Sequence, residues 1–166
     1  MTVSMSTIRS ELRTAVLSAG SNTNVIYFYP NGPRPEMPYT SIQHLSISGE
    51  LNDWDIFDKV NDLNRMYGYR DIVFTINTYG AGAHSEAMMI QGNIRKQTIR
   101  DVLRETVQCS IIELSTITDL TSLVDSDFEE RATFDLTLSV LVEDGSSTDD
   151  TGYFDTFETP EWTNKP

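Results

Sequence analysis

Asp71-Ile72-Val73-Phe74-Thr75-Ile76-Asn77-Thr78-Tyr79-Gly80-Ala81-Gly82-Ala83 reads as an alternating strand that enters a tight glycine turn and then a helix. The helix-favouring residues run from about Gly82 to Thr106. Ala83, Ala87, Ile90 and Ile94 form one apolar stripe, and beyond Gly92 and Asn93 the stripe changes phase to Ile99, Val102, Leu103 and Thr106. Each residue turns a helix by about 100°, so the second face points well away from the first. Either the helix kinks near Gly92 or it serves two burial partners, one of which is then a neighbouring subunit.

Upstream, Ile8, Leu12, Ala15, Val16 and Ala19 recur at helical spacing over Ser6 to Ala19, with Ser4 or Ser6 as cap and Gly20 as stop. Val25 to Tyr29 is a short β-favouring run covered on both faces. Pro30, Pro33, Pro35 and Pro38 then impose a stiff extended connection, because their ring nitrogens donate no hydrogen bond. Tyr39 to Ile47 alternates as a strand, but Ile42 is out of phase with Tyr39, Leu45 and Ile47, which predicts a bulge or a two-sided strand. Asn52 to Tyr69 fits helical spacing as well as a hairpin, and is expected to be an irregular or hairpin excursion anchored by aromatic residues.

Downstream, Cys109 to Leu114 is another strand, and Thr118 to Val124 is a loop or short helical turn. Glu130 to Val142 is a long strand with Ala132, Phe134, Leu136, Leu138 and Val140 on its core face. The expectation is an α+β fold: two helices packed on a mainly antiparallel sheet of four to six strands. Residues 1–142 form that domain, and 143–166 an acidic extension with an edge strand at Tyr153 to Phe157 or a loose end.

Twelve basic residues against twenty-five acidic ones give a net charge of −13, which repels a phosphate backbone and argues against tight nucleic-acid binding. Cys109 is the single cysteine, so no internal disulfide or thiolate cluster can form, and it reads as a small buried thiol. No apolar run approaches the roughly eighteen residues of a membrane span, and Met1 to Ser10 lacks a signal-peptide core. The chain therefore reads as soluble and not exported.

The Gly80 to Ala83 turn could present helix N-terminal N–H groups to an anion, but it is neither GxGxxG nor a Walker sequence, and it reads as structural. His84-Ser85-Glu86 are adjacent helix positions pointing in different directions, so they form no triad. Two histidines without a carboxylate at ligand spacing make no zinc site, and the acid pairs Asp53/Asp55, Asp125/Asp127 and Glu129/Glu130 read as surface charge. No catalytic residue, cofactor or metal is expected. The alternatives are a small anion- or nucleotide-binding enzyme using this turn and His84, and an adaptor that captures peptides on a strand edge.

Three pieces remain, in order: Pro33-Arg34-Pro35 with Pro38-Tyr39 before a strand, Tyr79-Gly80 with Ala83 after one, and Glu130-Arg131-Ala132 with Asp135 opening the last. Over about Thr7 to Val142 this pattern resembles the neck and tail terminator proteins of tailed bacteriophages. The resemblance implies a structural virion protein forming a homo-oligomeric ring, six-fold, that terminates the tail tube and/or joins it to the head-tail connector. Its implied partners are the connector or stopper and the tube or sheath proteins, with DNA passing through unbound after assembly in the host bacterial cytoplasm. An acidic lumen suits that passage, because it repels phosphate at short range. Arg34, Pro35, Tyr39, Trp54, Phe57, Ile99, Leu103, Glu130 and Arg131 are the expected interface positions. Glu130 and Arg131 are expected to form an ion-pair position that orients the last strand or its neighbour.

Overall fold

Ser4 starts the first helix: its hydroxyl accepts the Thr7 N–H at 3.2 Å, satisfying one of the donors that a helix N-terminus leaves free. The computed structural model describes residues 4–28, 34–58, 63–124 and 127–144. Helix α1 spans Met5–Ala19, and Ile8, Leu12, Ala15, Val16 and Ala19 are its buried stripe. Strands β1 (Val25–Tyr27), β2 (Tyr39–Asp58) and β3 (Leu63–Tyr79) follow, then helices α2 (Ala83–Asn93) and α3 (Gln97–Val107). The chain continues with β4 (Cys109–Leu114), β5 (Thr118–Asp119), β6 (Ser122–Val124), β7 (Asp127–Glu129) and β8 (Arg131–Asp144).

The main sheet has the order β1-β2-β3-β8-β4, with β5 also on β8, and β6 and β7 form a separate two-stranded ribbon. Only β1 and β2 run parallel in it; the other pairings are antiparallel. Ile42, Ile76 and Phe134 share one register level, Phe74 and Leu136 the next, and all five side chains point into the core beneath the helices. Fully burying an apolar side chain of this size contributes about 1.5–3 kcal/mol, so this ladder anchors the domain. The opposite face carries Thr75 and Asp135, whose side chains hydrogen-bond at 2.7 Å.

The helical segment after Gly82 is two helices, which corrects the expected two helices to three among the described residues. Ile94 to Ile99 is a five-residue step, which would rotate the two apolar stripes about 140° apart on one straight helix. Lys96 adopts an extended backbone (φ −62°, ψ 143°) instead, and the break lets Ile90, Ile94, Ile99, Leu103 and Val107 all reach the same core. The break falls after Ile94, not at Gly92.

β2 slips register between His44 and Ser46, the bulge among the two expectations, and it is two-sided before that point: Tyr39 and Ile42 are buried on opposite faces, while Leu45 and Ile47 are exposed. In the stretch from Asn52 to Tyr69 the described residues, 52–58 of β2 and 63–69 of β3, pair antiparallel and form an arm. Thr118 to Val124 holds two short strands where a loop or helical turn was expected. Tyr153 to Phe157 and the rest of 145–166 lie outside the described residues, as does 29–33 within the proline connection.

A buried carboxylate ties the helices together. Glu86 on α2 accepts the Ser21 N–H at 2.8 Å, the Asn22 N–H at 2.9 Å and the Ser21 hydroxyl, and Asn93 donates to the Ala19 carbonyl at 2.7 Å. The end of α1 is thereby bolted to α2. A Cβ added at Gly20 would overlap the Glu86 carboxylate, which is why the chain carries no side chain there.

Candidate functional site

Tyr39, Tyr79 and Arg131 stand side by side on β2, β3 and β8, at the end of the sheet where the proline connection enters. The tyrosine rings stack with centroids 4.5 Å apart and planes 13° from parallel. Arg131 lies 4.9 Å from the Tyr79 ring centroid and donates to Asn77 Oδ1 at 3.0 Å. Arg34 sits 5.6 Å and 5.4 Å from the Tyr39 and Tyr79 centroids, and its Nε donates to the Tyr39 hydroxyl at 3.0 Å. Its two terminal nitrogens grip both carboxylate oxygens of Glu129 on β7, one at 2.8 Å. Two cations thus hold an aromatic pair, and the guanidinium fork of Arg34 joins the proline connection to the β6–β7 ribbon.

The charges act on one another as this geometry requires. Hydrogen bonding to Arg34 holds the Glu129 carboxyl below the usual glutamate range, and the same bond raises the pKa of Arg34. Burial raises the Tyr39 phenol, with Arg34 pulling the other way. Burial likewise pushes the Cys109 thiol up to about 11, the behaviour of a packed structural thiol.

At the adjoining turn Gly80 and Gly82 have φ of 95° and 80°, the left-handed region that a side chain disfavours. Glu130 closes this turn: its carbonyl accepts the Gly80 N–H at 3.0 Å and its carboxylate accepts the Gly82 N–H at 2.6 Å. The donors at the start of α2 therefore meet an anion supplied by the chain itself. A cavity of about 320 Å³ beside it is lined by Met37, Pro38, Ala81, Phe128, Glu129 and Glu130, an apolar and acidic lining unsuited to phosphate. His84 is exposed on α2, and among the described residues no three His, Cys, Asp or Glu are grouped to hold a metal ion.

The second candidate surface is the arm. Trp54 stacks on Tyr67 at 6.2 Å and leans on Tyr69 at 5.6 Å, yet Trp54, Ile56 and Tyr69 remain 37%, 49% and 47% exposed. Phe57 pairs with Asn64 in the backbone register; its side chain is not among those described.

The expected interface positions thus separate into three groups. Arg34, Tyr39, Glu130 and Arg131 meet at the junction, with Pro35 in the adjoining connection, while Trp54 and Phe57 belong to the arm. Ile99 and Leu103 are corrected: both are buried in the core of their own chain, where the α2–α3 break has turned them inward. Glu130 and Arg131, adjacent on the chain, engage Gly82 on one side and Asn77 with Tyr79 on the other, so the strand is oriented by a cap and a ring contact. Sequence reasoning missed Glu129, which it placed among surface acid pairs. No local signal marks Glu129, because its partner Arg34 lies 95 positions away in the chain.

Among the described residues the junction is closed over by its own chain, whereas Trp54, Ile56 and Tyr69 on the arm stay exposed. A family profile described as phage neck terminator protein matches residues 6–164, and the chain belongs to that family. It is a structural component of the phage neck or tail. Among solved structures it is similar to a sheath/tube terminator of an extracellular contractile injection system in the extended state, with TM-score 0.49 and 11% identity. That alignment covers 89% of this chain, which spans 60% of the length of the other. A chain from the virion of a native gene transfer agent aligns with TM-score 0.38 and 16% identity, over 85% of this chain and 95% of that one. No curated protein matches the sequence.

Proposed function

We propose that the chain assembles as a six-fold homo-oligomeric ring at the neck, ending the tail tube and/or joining it to the head-tail connector, with DNA passing through the lumen. The observation that carries this reading is the arm, where Trp54, Ile56 and Tyr69 stay exposed on paired strands. Aromatic residues on a pre-formed surface are what protein interfaces use as anchors, because they bury large area at small cost in side-chain freedom. An arm that packs on the next subunit is a heterologous contact, and repetition around a closing rotation gives a ring. Trp54 and Phe57 are then contact residues. Arg34, Pro35, Tyr39, Glu130 and Arg131 hold the junction in shape for its neighbour.

The net charge of −13 supports a lumen that releases DNA. In this reading the domain is 1–142 with an acidic extension at 143–166, and the role involves no catalysis. Assembly takes place in the host cytoplasm, with a connector or stopper and tube or sheath proteins as partners. The nucleotide-binding alternative loses ground because Glu130 already occupies the turn. Native mass spectrometry and negative-stain images of the purified chain test the proposal: a six-membered ring with a central hole is expected. A monomer at high concentration that binds neither tube nor connector protein overturns it.

A further inference from the structure

On the helix side of the sheet, at its β1 edge, lies a cavity of about 220 Å³ that the junction and the arm do not use. Its walls include Ile42 and Phe74, and Arg9 of α1, Tyr27 of β1 and His44 of β2 bring polar atoms to it. The Tyr27 hydroxyl and His44 Nε2 are both buried, and neither has a hydrogen-bond partner among the described residues. Buried polar atoms are almost always paired, so two orphans lining one cavity ask for an occupant. Burial raises the Tyr27 pKa, and the positive charges of Arg13 and Arg9 pull against it, so both guanidinium groups act on this hydroxyl. Arg13 Nε is already committed to the Val25 carbonyl at 2.7 Å, whereas Arg9 is an exposed cation at the rim.

A phenol, an imidazole N–H and a guanidinium can all donate, so together they suit an acceptor-only, negatively charged group. The apolar wall beside them suits an aliphatic stem. The volume lies below the roughly 300–1,000 Å³ of usual metabolite pockets, and matches one side chain better than a nucleotide. A dianionic phosphate would also be repelled more strongly than a monoanion by a chain of charge −13. We propose that this cavity receives the carboxylate side chain of a glutamate presented by a second protein chain. The site is independent of the ring reading, since it lies away from the arm and needs no particular symmetry.

The test follows the His44 imidazole by NMR in the full chain, titrating N-acetyl-glutamate methylamide with the glutamine counterpart as neutral control and inorganic phosphate as a second anion. The glutamate compound should move His44 while exposed His84 stays still, and neither the glutamine compound nor phosphate should move it. Tyr27→Phe should weaken that affinity about tenfold, the scale of a hydrogen bond to a charged group. Its thermal midpoint should hold or rise, because the variant deletes an unpaired buried hydroxyl. Arg9→Gln, at an exposed position, should weaken binding with the fold intact. The assignment is overturned by equal shifts with the glutamine compound, by phosphate binding in preference to glutamate, by unchanged affinity in both variants, or by no shift up to the solubility limit.

Discussion

Two aromatic clusters sit at opposite ends of the same β2–β3 ladder, and they differ in who covers them. Tyr39 and Tyr79 are 5% and 7% exposed, because Arg34, Arg131 and Glu129 of the same chain close over them. Trp54 also contacts Tyr67 and Tyr69, at the wider centroid spacings of 6.2 Å and 5.6 Å, but Trp54 and Tyr69 remain 37% and 47% exposed. Ring stacking alone does not remove aromatic surface from water; cover comes from a third element. At the junction the proline connection and the β6–β7 ribbon provide it within the chain. At the arm, in the proposed ring, the next subunit provides it.

Truncation should separate the two ends most sharply. Tyr79→Ala removes a buried ring together with both cation contacts, and should cost about 3–5 kcal/mol in monomer stability by denaturant unfolding. Trp54→Ala should change monomer stability by about 1 kcal/mol or less while lowering the ring population in native mass spectrometry. Were Trp54→Ala to destabilise the monomer as much as Tyr79→Ala, the arm would be a core element and the contrast would collapse.

A smaller effect isolates the clamp. Arg34→Lys keeps the charge but loses the two-pronged grip on Glu129 and the planar contact with the tyrosine rings. The Arg34 side chain is 46% exposed and that of Glu129 13%, so solvent screens much of the pairing, and the expected loss is only about 1 kcal/mol. Denaturant melts of Arg34→Lys, with Trp54 variants as the reference, would measure it. A loss as large as that of Tyr79→Ala would mean that the cation, not the stacked rings, holds this end together.

Much of this architecture was legible in the sequence where one periodicity dominates. β8 alternates without interruption, so Phe134, Leu136 and Leu138 could be assigned to the core by counting in twos. Ile42, out of phase with its neighbours, pointed to a bulge or a two-sided strand, and both are present: Tyr39 and Ile42 are buried on opposite faces of one regular stretch, and the register slips after His44. The α2–α3 break was harder to place. Its cause is the five-residue step from Ile94 to Ile99, while Gly92, the residue with the local signature of a kink, remains inside α2. β5 to β7 are two or three residues each, too short for any pattern to rise above loop composition. The clamp was out of reach for a different reason. Arg34 and Glu129 are 95 positions apart, and nothing local to either says that β2, β3 and β8 bring them together.

Acid offers the gentlest way to loosen one end and spare the other. Glu129 has its pKa lowered in the folded chain, chiefly by its hydrogen bonds to Arg34. A depressed carboxyl contributes stability that is present above its unfolded pKa and is lost as pH falls through the folded value. The thermal midpoint of the parent should therefore exceed that of Glu129→Gln at neutral pH, and the gap should narrow as pH drops below the ordinary glutamate range. The Trp54, Tyr67 and Tyr69 contacts are between uncharged rings, so the midpoint difference between the parent and Trp54→Ala should stay level across the same range. If that second difference narrows with acid as much as the first, the arm shares the electrostatic clamp, and the two ends of the ladder are one cooperative unit instead of a closed site and an open one.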